Sequence, residues 1–396
     1  MKTAFGCKLL GAHQALLGVR DGLVLLHSVV GCNFGSMAFH FAACHMEDVR
    51  QTCTVLSDHD VVFSGEASLG QALRHARELY APEIIFLVTG CISDIIQDDV
   101  RAVARAFEAE CGTRVIPVEA AGYRGDFSCG YEAALLALAE EMRPEPPAVR
   151  PTVNLLGLGA DDPRLEADLE ALRALLGGKA EVGAVFSACT LEEVRRAPRA
   201  GLNLVFGRGL ELAREMERRF GVPCACLDYP YGLTGARALW DCLERRFALD
   251  YSAQERAFAA QTAEGLGRAY SYLQALYGVP AAVVGAGARA RGMAGFLSRE
   301  LGMEVELLAA REELDDIEAF YGEAQAGEAA VLFGSSFEQE LADRMGIPLV
   351  RFDFPVFDRV CLTPRPYVGA AGTACLVEDM LNEIMQARRL KGALYQ

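Results

Sequence analysis

The chain has 396 residues, 52% of them hydrophobic and 23% charged, with a formal net charge of −16. That length exceeds one compact core, so two or three domains are expected, and the acidic balance argues against binding to nucleic acid. No apolar stretch approaches the roughly 20 residues that span a bilayer, and Met1–Cys7 lacks a signal-peptide core, so the expected compartment is the cytoplasm, with no membrane contact and no lasting disulfides.

Short runs rich in Val, Ile and Leu recur along the chain, each followed by a turn and an amphipathic segment. Continuous rather than alternating apolar runs mark strands covered on both faces, as in parallel sheets. In the first third, strands are expected at Leu23–Val30, Asp60–Ser64, Glu83–Thr89 and Arg114–Glu119. Helices are expected there at Ser68–Tyr80, Asp94–Glu110 and Tyr131–Met142. The stretch Arg143-Pro144-Glu145-Pro146-Pro147 reads as a linker, because clustered prolines stop helices and central strands alike. A second α/β unit follows, with strands expected at Thr152–Leu158, Glu181–Ser187, Leu202–Phe206 and Cys224–Leu227 and a long helix from Ala253 to Leu276. In a third unit, strands are expected at Ala281–Val284, Glu304–Leu308, Ala329–Phe333 and Leu349–Phe352, and the last helix at Ala374–Leu390.

Three successive units of this kind predict an α/β protein of three Rossmann-like, doubly wound domains with mostly parallel sheets around a central cleft. The expected divisions are 1–148, 149–278 and 279–396. Two glycine-rich turns, at Gly157-Leu158-Gly159-Ala160 and Gly285-Ala286-Gly287, each lie between a strand and a helix. Neither completes a dinucleotide fingerprint with an acid after the next strand, so both read as tight turns. No GxxxxGK[ST] loop is present, which argues against ATP hydrolysis by this chain.

Thirteen cysteines are present, while all six histidines lie at or before His75. Chemistry in the later three quarters therefore proceeds without imidazole. Cys32 ends an apolar run through Val30-Gly31, and Cys91 ends another through Thr89-Gly90. Ligand sites in open parallel sheets form beyond the carboxyl ends of strands, so two cysteines at two such ends can converge. The wide spacing is neither a CxxC zinc knuckle nor a ferredoxin run. Residue chemistry alone leaves two readings open, metal ligands or buried small hydrophobes.

Three motifs resemble the cluster-binding region of nitrogenase component 1 and its relatives. Cys7-Lys8-Leu9-Leu10-Gly11-Ala12 with Leu26-His27-Ser28-Val29-Val30-Gly31-Cys32 is similar to the family's first cysteine and later HGxxGC, with Ser28 in place of a glycine. Asp58-His59-Asp60-Val61-Val62-Phe63-Ser64-Gly65-Glu66 resembles EDxxVFGG. Thr89-Gly90-Cys91 through Asp98-Asp99-Val100 resembles TxCxxxxIGDD, with Gln97 in place of glycine. Late in the chain, Phe333-Gly334-Ser335-Ser336, Arg351–Arg359 and Tyr367-Val368-Gly369 resemble motifs of the β-type subunit.

The resemblance implies that Cys7, Cys32 and Cys91 bind a [4Fe–4S] or larger P-cluster-like iron–sulfur cluster shared with a homologous subunit, the same chain or a different one. It implies a subunit of a nitrogenase-like oxidoreductase, receiving electrons from an ATP-dependent iron–sulfur reductase dimer that binds the ATP. The alternative is a non-catalytic scaffold on which a metallocofactor is assembled. The family's cofactor-binding cysteine and late histidine have no evident counterpart here, though Cys189, Cys224, Cys226 and Cys361 offer thiols that core packing explains better. The compact length resembles reductases of tetrapyrroles or organosulfur compounds, or a trimmed scaffold. His40, Cys44 and His45 form an HxxxCH run that reads as a half-buried helix, Cys53 as packing near the cluster turn, and His27 as a partner of local backbone. Asp98 and Asp99 are expected on the helix after Cys91 rather than on iron.

Overall fold

The computed structural model describes residues 6–44, 50–314 and 316–390. The first sheet contains β1 (Gly22–His27), β2 (Gln51–Cys53), β3 (Ile84–Thr89) and β4 (Arg114–Glu119). The second contains β5 (Thr152–Leu156), β6 (Glu181–Val185), β7 (Leu202–Val205) and β8 (Cys224–Cys226). The third contains β9 (Pro280–Gly285), β10 (Glu304–Ala310), β11 (Val331–Gly334) and β12 (Leu349–Arg351). Their strand orders are β2-β1-β3-β4, β6-β5-β7-β8 and β10-β9-β11-β12, one topology used three times. In each, the order reverses between the first and third strands, which creates a switch point there.

Helices in the first part of the chain are α1 (Lys8–Leu17), α2 (Val30–Cys44), α3 (Asp58–Phe63), α4 (Glu66–Tyr80), α5 (Cys91–Ile95), α6 (Val100–Cys111) and α7 (Phe127–Ala137). They are followed by α8 (Leu165–Leu175), α9 (Leu191–Arg196), α10 (Leu210–Phe220), α11 (Gly232–Phe247), α12 (Ser252–Gly267) and α13 (Tyr270–Gln274). The last are α14 (Gly287–Glu300), α15 (Ile317–Ala326), α16 (Gln339–Met345) and α17 (Gly369–Leu390). The α/β class and the parallel sheets expected from the continuous apolar runs are both present.

Burial explains those runs. On one face of the first sheet, Leu23, Leu25, Ile85 and Leu87 pack with Leu69 and Leu73 of α4 and Phe107 of α6. On the other, Val24, Leu26, Phe86 and Val88 pack with Leu9 and Leu16 of α1 and Tyr131 and Leu135 of α7. Alternate side chains point to opposite faces, and both faces are covered, so positions 23–26 of β1 and 84–88 of β3 are all apolar. Helices α1 and α7 approach through glycines. A Cβ on Gly11 would lie 1.8 Å from the Phe127 carbonyl oxygen, and one on Gly130 would lie 1.8 Å from that of Lys8.

Three expectations need correction. The strand at Asp60–Ser64 is instead helix α3, closed by a capping box in which Ser57 accepts from the Asp60 amide and the Asp60 carboxylate accepts from that of Ser57. The helix Asp94–Glu110 is two helices, broken where Gln97 takes a left-handed φ of 59° and Asp99 caps α6. The helix Ala253–Leu276 likewise divides between α12 and α13. Strand β2 had no sequence signal, being three residues long.

Among the described residues, one compact unit takes in the chain to Asp161 together with Val182–Cys224; a second takes in Asp162–Glu181 with the chain from Ala225 onward. The proline-rich stretch lies inside the first unit, bound at both ends: the Arg143 amide donates to the Arg195 carbonyl at 3.1 Å and that of Ala148 to Arg199 at 2.9 Å. No helix among the described residues is long and apolar enough to cross a membrane.

Candidate functional site

The carboxyl ends of β1 and β3 define the switch point of the first sheet. The two strands pair in parallel with His27 opposite Thr89, so the turns that follow them start side by side. Cys32 lies in the first turn of α2, and Cys91 is the first residue of α5. The turns are joined by the Gly90 amide, which donates to the His27 carbonyl at 3.0 Å. A Cβ on Gly90 would lie 2.3 Å from the Ser28 hydroxyl oxygen, so Ser28 occupies the space this glycine leaves. That hydroxyl is buried without a hydrogen-bond partner.

Cys7 arrives from the opposite direction. It caps α1, its carbonyl accepting the Leu10 amide at 3.1 Å, and it bridges to Asp126 just before α7. This places Cys7 beside Gly122, in the turn after β4. A Cβ on Gly122 would lie 3.4 Å from the sulfurs of both Cys7 and Cys91, and the Gly122 amide donates to Cys91 Sγ at 3.1 Å. Cys7 and Cys91 thus face one small cradle. Cys32 sits in the neighbouring turn, where it and Cys53 both pack against the core on that face of the sheet. All three cysteines are half-buried. Among the described residues, no three His, Cys, Asp or Glu side chains close up into a site for one metal ion.

The surrounding residues are largely committed. Cys53 Sγ accepts the Val55 amide at 3.3 Å and donates to the Ser28 carbonyl at 3.3 Å, and burial raises its pKa. His27 bonds side chains rather than backbone, Thr54 Oγ1 at 3.2 Å and Asp98 Oδ2 at 2.9 Å, and burial lowers its pKa. Asp98 lies between α5 and α6, where it also accepts from Ser64 Oγ at 2.9 Å and the Gly65 amide at 3.0 Å. It therefore braces the turn rather than riding on the expected helix, while Asp99 caps α6 through the Ala102 amide.

His40 is buried on Asp161, while the side chain of Cys44 and all of His45 lie outside the described residues. Cys189 is fully buried, which raises its pKa, whereas Cys226 is exposed on β8 and is not core packing. At the second glycine-rich turn, the amides of Ala286 and Gly287 donate to the carboxylates of Asp353 (2.6 Å) and Glu312 (2.8 Å), the positions a phosphate would take.

Around the cysteine turns several large apolar side chains are exposed among charged ones. Phe34 on α2 is 72% exposed, Phe63 on α3 73% and Ile95 on α5 61%, with Val30, Val62 and Tyr123 also open. Sequence reasoning missed Gly122. Its only signal is the small-residue run Ala120-Ala121-Gly122 directly after a strand.

The family model of nitrogenase component 1 type oxidoreductases matches residues 7–385. The nitrogenase iron-molybdenum cofactor biosynthesis protein NifE of Clostridium pasteurianum is 31% identical over 234 residues, covering 57% of this chain and 50% of that relative. The chain thus spans about half the length of that relative. The nitrogenase molybdenum-iron protein beta chain of Methanococcus maripaludis is 22% identical over 440 residues, covering 96% of this chain and 93% of the relative. Among solved structures, nitrogenase Cp1 at pH 6.5 superposes with a TM-score of 0.79 at 20% identity, covering 98% of this chain and 93% of the other, a likeness of fold.

Proposed function

This chain belongs to the nitrogenase component 1 type oxidoreductases, and on that premise we propose that it is the cluster-holding subunit of a nitrogenase-like redox complex. Cys7, Cys32 and Cys91 are the ligands in this reading, facing a homologous subunit, with electrons supplied by a separate ATP-dependent iron–sulfur reductase. The observation that carries it is the cradle at Gly122. The missing side chain leaves room beside two thiols, and the adjacent amide already donates to one sulfur. Thiolate donors supported by N–H···S bonds suit an iron–sulfur cluster, whose ligands stand farther apart than those around one ion. When bound, such a group supplies one-electron transfer.

The chain's own residues position that site. Helix α1, docked on α7 through Gly11 and Gly130, carries Cys7 to the strand ends. The His27–Asp98 pair braces the turns around Cys32 and Cys91. The exposed apolar rim supports burial against another subunit, because apolar patches of this kind mark association surfaces.

A cofactor-assembly scaffold is the second reading, favoured by the 31% identity to NifE of Clostridium pasteurianum. Both readings require the cluster; they differ in whether the complex turns over a substrate with an ATP-dependent reductase or transfers a metallocofactor to another protein.

The test is iron and acid-labile sulfide on anaerobically purified protein, with EPR of the dithionite-reduced sample, beside Cys32→Ala and Cys91→Ala. About two irons or more per chain are expected, as a shared cysteine-ligated cluster requires, with loss in both variants. Iron-free protein after anaerobic reconstitution, or variants that keep the wild-type iron, would overturn the assignment.

A further inference from the structure

The second compact unit carries an apolar face of its own, built by α12, α13 and α17. Two adjoining hollows, of about 250 and 380 Å³, run along α17, and Tyr272, Leu381 and Met385 line both. Leu276, Ile347 and Ile384 complete the first, with Leu266 and Val377 in the second. Next in sequence to the lining residues Ala269 and Leu276 come Tyr270 and Tyr277, which are 64% and 81% exposed. Both rings are held in place. Gln274 Nε2 donates to the Tyr270 hydroxyl at 2.9 Å, and the Tyr277 ring covers Gly302, where a Cβ would lie 2.5 Å from its Cδ2.

The core of this unit does not use these helices fully. Helix α12 is 16 residues long yet buries only Phe258, and α13 has no buried residue. Helices in proteins draw most of their stability from packing an apolar face, so α12 and α13 lack a partner within the chain.

Charge sets this face apart from the rest of the surface. The chain is 23% charged and carries −16, whereas Ala257–Pro280 holds one acid, Glu264, and one base, Arg268. The carboxylates of α17 beside it are matched by arginines. Arg365 pairs with Glu378 at 2.8 Å and with Asp379 at 2.7 Å, and Arg359 pairs with Glu383. The face is therefore close to neutral.

We propose that this face binds a second copy of the same chain about a two-fold axis, Tyr270 and Tyr277 of each copy entering the hollows of the other. A two-fold contact uses one patch twice, so the patch must hold both the projection and the recess. This one holds both. Its neutrality lets two chains of like charge meet where their repulsion is least. Tyrosines already fixed in position lose little freedom on binding and serve as anchors. The contact is independent of the cluster reading, since these residues belong to the second unit and the cysteine turns to the first.

Sedimentation velocity on the full chain carrying Phe63→Glu tests this with association through the cysteine rim weakened. A dimer is expected to persist, and adding Tyr277→Glu is expected to raise its dissociation constant about ten-fold or more. Circular dichroism should stay unchanged, because Tyr277 lies at the surface. A monomeric Phe63→Glu chain, or an unchanged constant in the double variant, would overturn the proposal. A second measurement leaves the rest of the chain unaltered: photoreactive benzoylphenylalanine replaces Tyr277. Cross-links are expected to residues 381–387 of another copy, told from the same copy by mixing 15N-labelled and unlabelled protein. Cross-links confined to one chain would refute the two-fold contact and assign the hollows to a segment of that chain. Iron analysis judges the cluster reading separately, and neither result alters the other.

Discussion

Gly122 decides how closely two thiols can share one neighbour. Its absent Cβ would stand 3.4 Å from each sulfur and 3.0 Å from Cys7 Cβ, so any larger residue takes the room that a bound group would use. Gly122→Val is therefore expected to lower iron retention by about two-fold or more, with little change in secondary structure; iron analysis beside circular dichroism checks it. Gln97 presents the opposite case. It holds a φ of 59°, is exposed, and stands where the resembling motif has glycine. A left-handed conformation costs a side-chain-bearing residue about 1–2 kcal/mol, part of which glycine returns as unfolded-state entropy. Gln97→Gly is expected to stabilise the protein by about 0.5–1 kcal/mol, read as a higher urea midpoint at constant slope. An unchanged or lower midpoint would show that other contacts of Gln97 outweigh the strain.

At the scale of elements, long buried strands were legible and short or strained features were not. Strand β4 lies at Arg114–Glu119 as expected, because its apolar positions form a continuous run ended by turn residues. The segment around Val61, Val62 and Phe63 was misread as a strand: its β-branched run mimics one, while the Ser57–Asp60 capping box that makes it helix α3 uses Asp where Glu or Gln is the usual signature. Those apolar side chains face outward, so their pattern reports a surface rather than a core. The continuous apolar runs before Gly31 and Gly90 place Cys32 and Cys91 in the turns that follow β1 and β3, while their reading as ligands comes from the family resemblance. Gly122 escaped notice because its contacts with Cys7 and Cys91 come from residues distant in sequence. The contact of α1 with α7 shows how strict an element-level constraint can be. Gly11→Ala would place a methyl 1.8 Å from the Phe127 carbonyl oxygen, which no rotamer change relieves. Separating the helices should destabilise the protein by about 1–3 kcal/mol or more and displace the Cys7 cap. The expected outcome is a lower urea midpoint together with reduced iron; wild-type values of both would mean the helices part without consequence.

On the scale of the whole molecule, the acidic surface and the apolar rim act in opposite directions. A net charge of −16 disfavours association between like chains at long range, so any stable assembly must draw its energy from a local patch. The rim around the cysteine turns is such a patch. Phe34, Phe63, Val62 and Ile95 are exposed on three helices that begin or end near the same strand ends, and removing them from water is favourable in proportion to the area covered. The cluster proposal needs that surface to be covered, since a shared site is complete only when a second subunit closes over it. Phe63→Glu puts a charge into the patch without touching the buried core, and buried aromatic anchors commonly contribute about 2 kcal/mol or more to an interface. Sedimentation velocity should then show the complex dissociating at concentrations about thirty-fold or more higher than for the wild type, the equivalent of that energy, and more readily in low salt, where the added charge is least screened. If the variant assembles as tightly as the wild type and keeps its iron, the covered face lies elsewhere and the cysteines must complete their site without this rim.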